Sequence, residues 1–172
     1  MTPRSDSTAW VADSGLFIAC GRQENTKYTA LERFATHNQI TFIIPQHVYE
    51  ELNSAPAQST PGQIPIDSAI TSGWVTVADD LDYTNSTVST VMDRTRSYIA
   101  NSSNRSEDQI ERADTALAGV AIQLLLQGPA SSVCLLTTDA DAGQGVVTAI
   151  EAAGFTDQIT LKDGFELIES IT

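Results

Sequence analysis

The stretch SSVCLLTTDADAG, residues 131–143, runs from an apolar segment straight into two aspartates and a glycine. Its Asp-x-Asp-x-Gly tail suggests a calcium loop, in which oxygen ligands fall at alternate positions. Counting from Asp139, however, the sixth residue is Gln144 and the twelfth is Ile150, where a helix-loop-helix calcium site needs glycine and glutamate. The stretch therefore reads as a buried strand that ends in an aspartate-rich turn. Aspartate is common in such turns because its carboxylate bonds nearby backbone N–H groups.

Outward from this strand, SVCLLT (132–137), four similar segments are rich in Val, Ile, Thr and aromatic residues: TAWVA (8–12), ITFII (40–44), WVTVA (74–78) and QITLK (158–162). Helical candidates lie between them. SGLFIACG and TKYTALERFATHN follow the first strand, PQHVYEELN opens on Pro45 after the second, and IDSAITSG precedes the third. SAPAQSTPGQIP is a loop by composition. The connection from Asp79 to Ala130 is the longest and holds two helices, one over roughly Ser86 to Ala100 and one from Glu107 to about Gln127 capped by Ser106. DGFELIESIT closes the chain as a short helix. Strands alternating with helices indicate a parallel sheet covered on its faces.

With 172 residues the chain fits one domain, read as residues 8–172 behind an N-terminal tail of residues 1–7. The apolar run ALAGVAIQLLL is too short to cross a bilayer, and MTPRSDSTAW carries no signal-peptide core. The expectation is a cytoplasmic protein with no membrane partner. Cys20 and Cys134 read as buried thiols, and His37 and His47 as incidental.

The formal net charge is −13, and Lys27 and Lys162 are the only lysines. Such a surface repels polyanions. It is also the surface of a protein adapted to molar salt, which screens the self-repulsion, and so points to a halophilic source.

In open α/β sheets, ligands sit at the carboxyl ends of the strands. Asp13 ends the first strand and Asp139 follows the fourth, with Asp141 as a secondary candidate. Asp114 shares the apolar stripe of Ile110, Leu117, Ala121 and Leu124, so its carboxylate needs a cation. Glu51 lies on the inward side of its helix with Val48 and Leu52, whereas Glu50 lies about 200° away. Four inward acids, Asp13, Glu51, Asp114 and Asp139, repel one another unless a cation joins them. Hard oxygen donors at an edge open to water suit Mg²⁺ or Mn²⁺.

These residues resemble the PIN-domain nucleases, which include the VapC-type toxin ribonucleases. The motifs are WVADSGLFIA, IIPQHVYEELN, ERADTALAGVAIQLL and LLTTDADAG, four acids in family order. The resemblance implies a three-layer α/β/α fold with a five-stranded parallel sheet and, here, an enlarged helical crossover before the fourth strand. It implies metal-dependent hydrolysis of RNA phosphodiester bonds, with Asp13, Glu51, Asp114 and Asp139 as catalytic metal ligands. Ser14 matches the family's small hydroxyl residue. The implied role is toxin or RNA-processing enzyme, with RNA as substrate and an antitoxin and a second copy as protein partners. Arg94, Arg96, Arg105 and Arg112, more than half of the arginines, are the candidate phosphate contacts; ordinary salt bridges with neighbouring acids are the alternative. Two other functions stay open. A receiver-type signalling domain would use Asp79 or Asp80 with Lys162, and a PIN fold could serve binding alone.

Overall fold

The computed structural model describes residues 8–20, 26–54, 66–104, 106, 110, 112–127 and 130–172. Five strands are present among them: β1 (Thr8–Ala12), β2 (Phe42–Ile44), β3 (Val75–Val77), β4 (Ser132–Thr137) and β5 (Ile159–Asp163). The helices are α1 (Ser14–Cys20), α2 (Thr26–His37), α3 (Gln46–Ser54), α4 (Ile66–Ser72), α5 (Ser86–Ser103), α6 (Arg112–Gln127), α7 (Ala140–Ala152) and α8 (Gly164–Ile171).

All strand pairs are parallel, in the order β3-β2-β1-β4-β5. The direction of winding reverses at β1 and β4, so the crevice between their carboxyl ends is the topological switch point where such sheets bind ligands. Successive side chains of a strand face opposite ways, and the core is accordingly split in two. Ala12 and Leu136 face a layer made by α1 to α4 and α8, with Phe17, Leu31, Val48 and Trp74 at its centre. Val11, Val133 and Leu135 face the second layer, built from α5, α6 and α7. The result is a three-layer α/β/α fold.

Three local departures from the sequence expectations have physical causes. β2 starts at Phe42 rather than Ile40 because the end of α2 uses the intervening backbone: Gln39 adopts φ 55° and Ile40 N–H donates to Ala35 O at 2.8 Å, a left-handed helix stop. α6 starts at Arg112 rather than Glu107. Ile110 lies in a bend and packs with Ile99, Ala100 and Ala142, so it belongs to a different cluster from Leu117 and Ala121. Residues 107–109 and 111 lie outside the described residues, as does the loop 55–65. The third departure is α7, which occupies a stretch expected to be only a turn after β4. Its buried face includes Gly143 and Gly145, and a Cβ on Gly143 would come within 2.7 Å of Leu161. Glycine here allows the helix to lie close on β5.

Candidate active site

The register pairs Ala12 with Leu136, and Asp13 N–H extends the ladder by donating to Leu136 O at 3.1 Å. Asp13 therefore leaves the sheet beside Thr137. The buried Thr137 hydroxyl donates to Asp13 Oδ2, and the Asp139 N–H donates to Thr137 Oγ1 at 3.0 Å. A hydroxyl has one proton. Because its acceptor side takes the Asp139 N–H, that proton is directed at Asp13. One threonine thus ties the Asp13 carboxylate to the backbone of Asp139.

Asp13 also accepts from the backbone N–H of Leu16 at 3.3 Å, so it caps the start of α1. Burial pushes its carboxyl above the usual range, and the hydrogen bonds from Thr137 and from the N–H groups of Leu16, Gly15 and Thr138 oppose that rise. The turn is tight: a Cβ on Gly15 would collide with Thr138 Oγ1. Asp139 is the N-cap of α7, accepting from Ala142 N–H at 3.1 Å. Asp141 follows in the first turn of α7 and is exposed.

The other two acids come from helices. Glu51 is half-buried on α3 and Glu50 is exposed, as the spacing of Val48 and Leu52 implies. α3 packs against both α1 and α6. Asp114 is half-buried in the first turn of α6, which packs on β1, β4 and α3. That position differs from the middle of an apolar stripe. The N-terminal end of a helix favours a negative charge. All the donors are hard oxygens, the right kind for Mg²⁺ or Mn²⁺. In number they fall short at any one point: among the described residues, no three His, Cys, Asp or Glu side chains stand close enough to hold a metal ion. The fold brings Asp13 and Asp139 together and sets Glu51 and Asp114 on helices packed around them.

Ser14 opens α1 and is half-buried; Arg94 is exposed on α5 and Arg96 is half-buried there. Arg105 lies outside the described residues, and so does the side chain of Arg112. Asp79 and Asp80 follow β3 at one edge of the sheet, and Lys162 lies on β5 at the other. Three strands separate the groups that a receiver pocket would need side by side. Cys20 and Cys134 are buried free thiols, each pushed up to about 11 chiefly by burial.

Two residues that the sequence left without a role also stand here. Thr137 carries the hydroxyl that joins the Asp13 carboxylate to the backbone of Asp139, and His47 lines a cleft with Tyr83, Arg96 and Thr115. The sequence signal for Thr137 was its position at the end of an apolar strand, two residues before Asp139 in a Thr-x-Asp setting that resembles the family's.

A parallel sheet with two aspartates at its switch point and further acids on the surrounding helices is an α/β fold with a candidate site at its carboxyl edge. The halobacterial PIN-domain family model matches residues 6–172, and the chain belongs to that family. No curated protein and no solved structure matches it. Among the described residues, no helix is long and apolar enough to cross a membrane.

Proposed function

We propose that the chain is a divalent-metal-dependent endoribonuclease whose site forms around Asp13 and Asp139. The observation that carries this is their attachment to one buried hydroxyl, Thr137, at the ends of adjacent parallel strands. Burial already penalises the charged form of Asp13, and a divalent cation beside it would offset that penalty. Bound Mg²⁺ or Mn²⁺ would supply an activated water and offset charge on the phosphoryl oxygens of the substrate.

Asp13 and Asp139 would hold the ion, with Glu51 and Asp114 as further donors from α3 and α6 and Asp141 as an exposed one. Thr137 holds one oxygen of Asp13 and the Leu16 N–H the other, so the carboxylate is fixed in place at the crevice. Ser14 and the arginines Arg94, Arg96, Arg105 and Arg112 are assigned to the phosphates. A nuclease of this kind suits the toxin of a toxin–antitoxin pair or an RNA-processing enzyme; an antitoxin and a second copy of the chain are the protein partners proposed.

A binding-only PIN fold is favoured by one observation, the lack of a gathered trio of donors among the described residues. Cleavage of single-stranded RNA in molar KCl with Mn²⁺ separates the two. Hydrolysis by the wild type that disappears with chelator and in both Asp13→Asn and Asp139→Asn supports the nuclease. Equal hydrolysis by wild type and both variants would rule these aspartates out, and RNA binding without any hydrolysis would favour the binding fold.

A further inference from the structure

Two adjoining cavities, about 310 Å³ and about 360 Å³ in volume, share His47 and Tyr83 in their walls. The first is completed by Gln46, Asp79 and Asp80, the second by Arg96 and Thr115. Sequence separates these residues widely, and the packing of α3 on α6 and α5 on α6 brings them together.

Tyr83 is 59 % exposed, yet the loop that carries it is tied down. Gln123, buried on α6, accepts from Asp82 N–H at 2.9 Å and donates to Asp80 O at 3.0 Å. Ser89 Oγ donates to Tyr83 O at 2.7 Å, and Asp82 Oδ1 accepts from Thr84 N–H at 3.1 Å. A polar amide in the apolar face of a helix costs desolvation unless it is satisfied; here both of its functions go to fixing the backbone on either side of Leu81. The outcome is an aromatic ring exposed to solvent on a backbone that does not need to be ordered on binding.

The cleft takes wall residues from α3 and α6, the two helices that carry Glu51 and Asp114. His47 and Glu51 are four residues apart on α3 and share a face, and Thr115 is next to Asp114. From these observations we propose that the cleft is a nucleobase subsite: Tyr83 stacks on a base of single-stranded RNA, His47 bonds its edge, and Arg96 holds the adjoining phosphate. Stacking on aromatic side chains is the usual way that single strands are held. It also suits this chain's charge. Affinity from phosphate contacts falls steeply with salt because it derives from counterion release, so at molar salt a chain of net charge −13 must draw its affinity from contacts that salt does not screen.

This subsite rests on the ribonuclease function proposed above, and the test separates the two. Binding of a labelled short single-stranded RNA is followed by fluorescence anisotropy in molar KCl with Mn²⁺, in the Asp13→Asn background so that the strand survives. Adding Tyr83→Ala should weaken binding about tenfold, whereas Tyr83→Phe, which keeps the ring, should bind as the parent does. A strand carrying an abasic residue at the stacked position should bind the parent about tenfold more weakly and lose nothing further with Tyr83→Ala. Equal binding by Tyr83→Ala and the parent, or equal losses for Ala and Phe, would overturn the subsite. If that happens while the wild type still cleaves RNA, the ribonuclease function stands alone. If Tyr83 proves necessary for binding but the wild type does not cleave, the subsite stands and the ribonuclease function falls.

Discussion

Replacing Thr137 with valine keeps the shape of a buried side chain and deletes one hydroxyl. Two partners lose it at once: Asp13 Oδ2 loses a donor and the Asp139 N–H loses its acceptor. A hydrogen bond to a charged group contributes about 1.5–3 kcal/mol, and a buried group left unsatisfied costs about 1–3 kcal/mol. Because these figures overlap, Thr137→Val should destabilise the metal-free protein by about 2–4 kcal/mol at neutral pH, or roughly 5–15 °C in melting temperature for a domain of this size. The pH dependence identifies the cause. Asp13's carboxyl is raised in the folded state, so its contribution favours folding below its unfolded value and is lost as pH rises through the folded one. Losing the Thr137 donor raises it further. The deficit of the variant should therefore be greatest where Asp13 is ionised in both proteins and should shrink as pH falls through the two raised values. Thermal melts by circular dichroism in molar KCl with chelator, from mildly acid to neutral pH, measure this. A deficit below about 0.5 kcal/mol, the range of ordinary surface changes, would refute the coupling, and a deficit that grew in acid would refute the assigned direction of the proton.

Gln123→Leu removes both bonds to the loop beneath Tyr83 and should cost about 1–3 kcal/mol, with amide hydrogen exchange faster at Asp82; unchanged exchange there would show that the loop is held by other contacts. Asp114→Asn removes a charge from the first turn of α6 and should cost about 0.3–1 kcal/mol without metal, a gap that widens with Mn²⁺ because metal binding adds stability to the wild type by mass action. Equal costs in chelator and Mn²⁺ would remove Asp114 from the ligands. The −13 charge should make the melting temperature climb from dilute buffer to molar KCl as salt screens the repulsion; a flat profile would count against salt adaptation.

The fold was largely legible because β-branched and aromatic residues concentrate in five short segments, and three of the acids announce themselves by position. Asp13 and Asp139 follow strands, and Glu51 keeps step with Val48 and Leu52. The start of α6 was not legible. Ile110 is apolar and falls in helical step with Asp114, but it is buried against Ile99 and Ala142 from a bend, and periodicity alone cannot tell burial in one cluster from burial in another. α7 was hidden by Gly143 and Gly145, which have poor helix propensity and serve instead as close contacts to β5 and α5. The cleft of His47, Tyr83, Arg96 and Thr115 exists only in three dimensions: its residues lie on three helices and a loop. Thr137 is intermediate, since its place at the end of a strand was visible but the direction of its proton was set by Asp139 N–H across the turn.

The claim on which the rest depends is that Asp13 and Asp139 together hold a divalent ion. Titration of Mn²⁺ into the full chain in molar KCl, followed by loss of the free-ion signal in electron paramagnetic resonance, tests it without relying on any substrate. Saturable binding by the wild type is expected, strongly weakened by Asp13→Asn and by Asp139→Asn and little changed by Glu50→Gln on the exposed side of α3. Binding of equal strength in the wild type and both aspartate variants would contradict it.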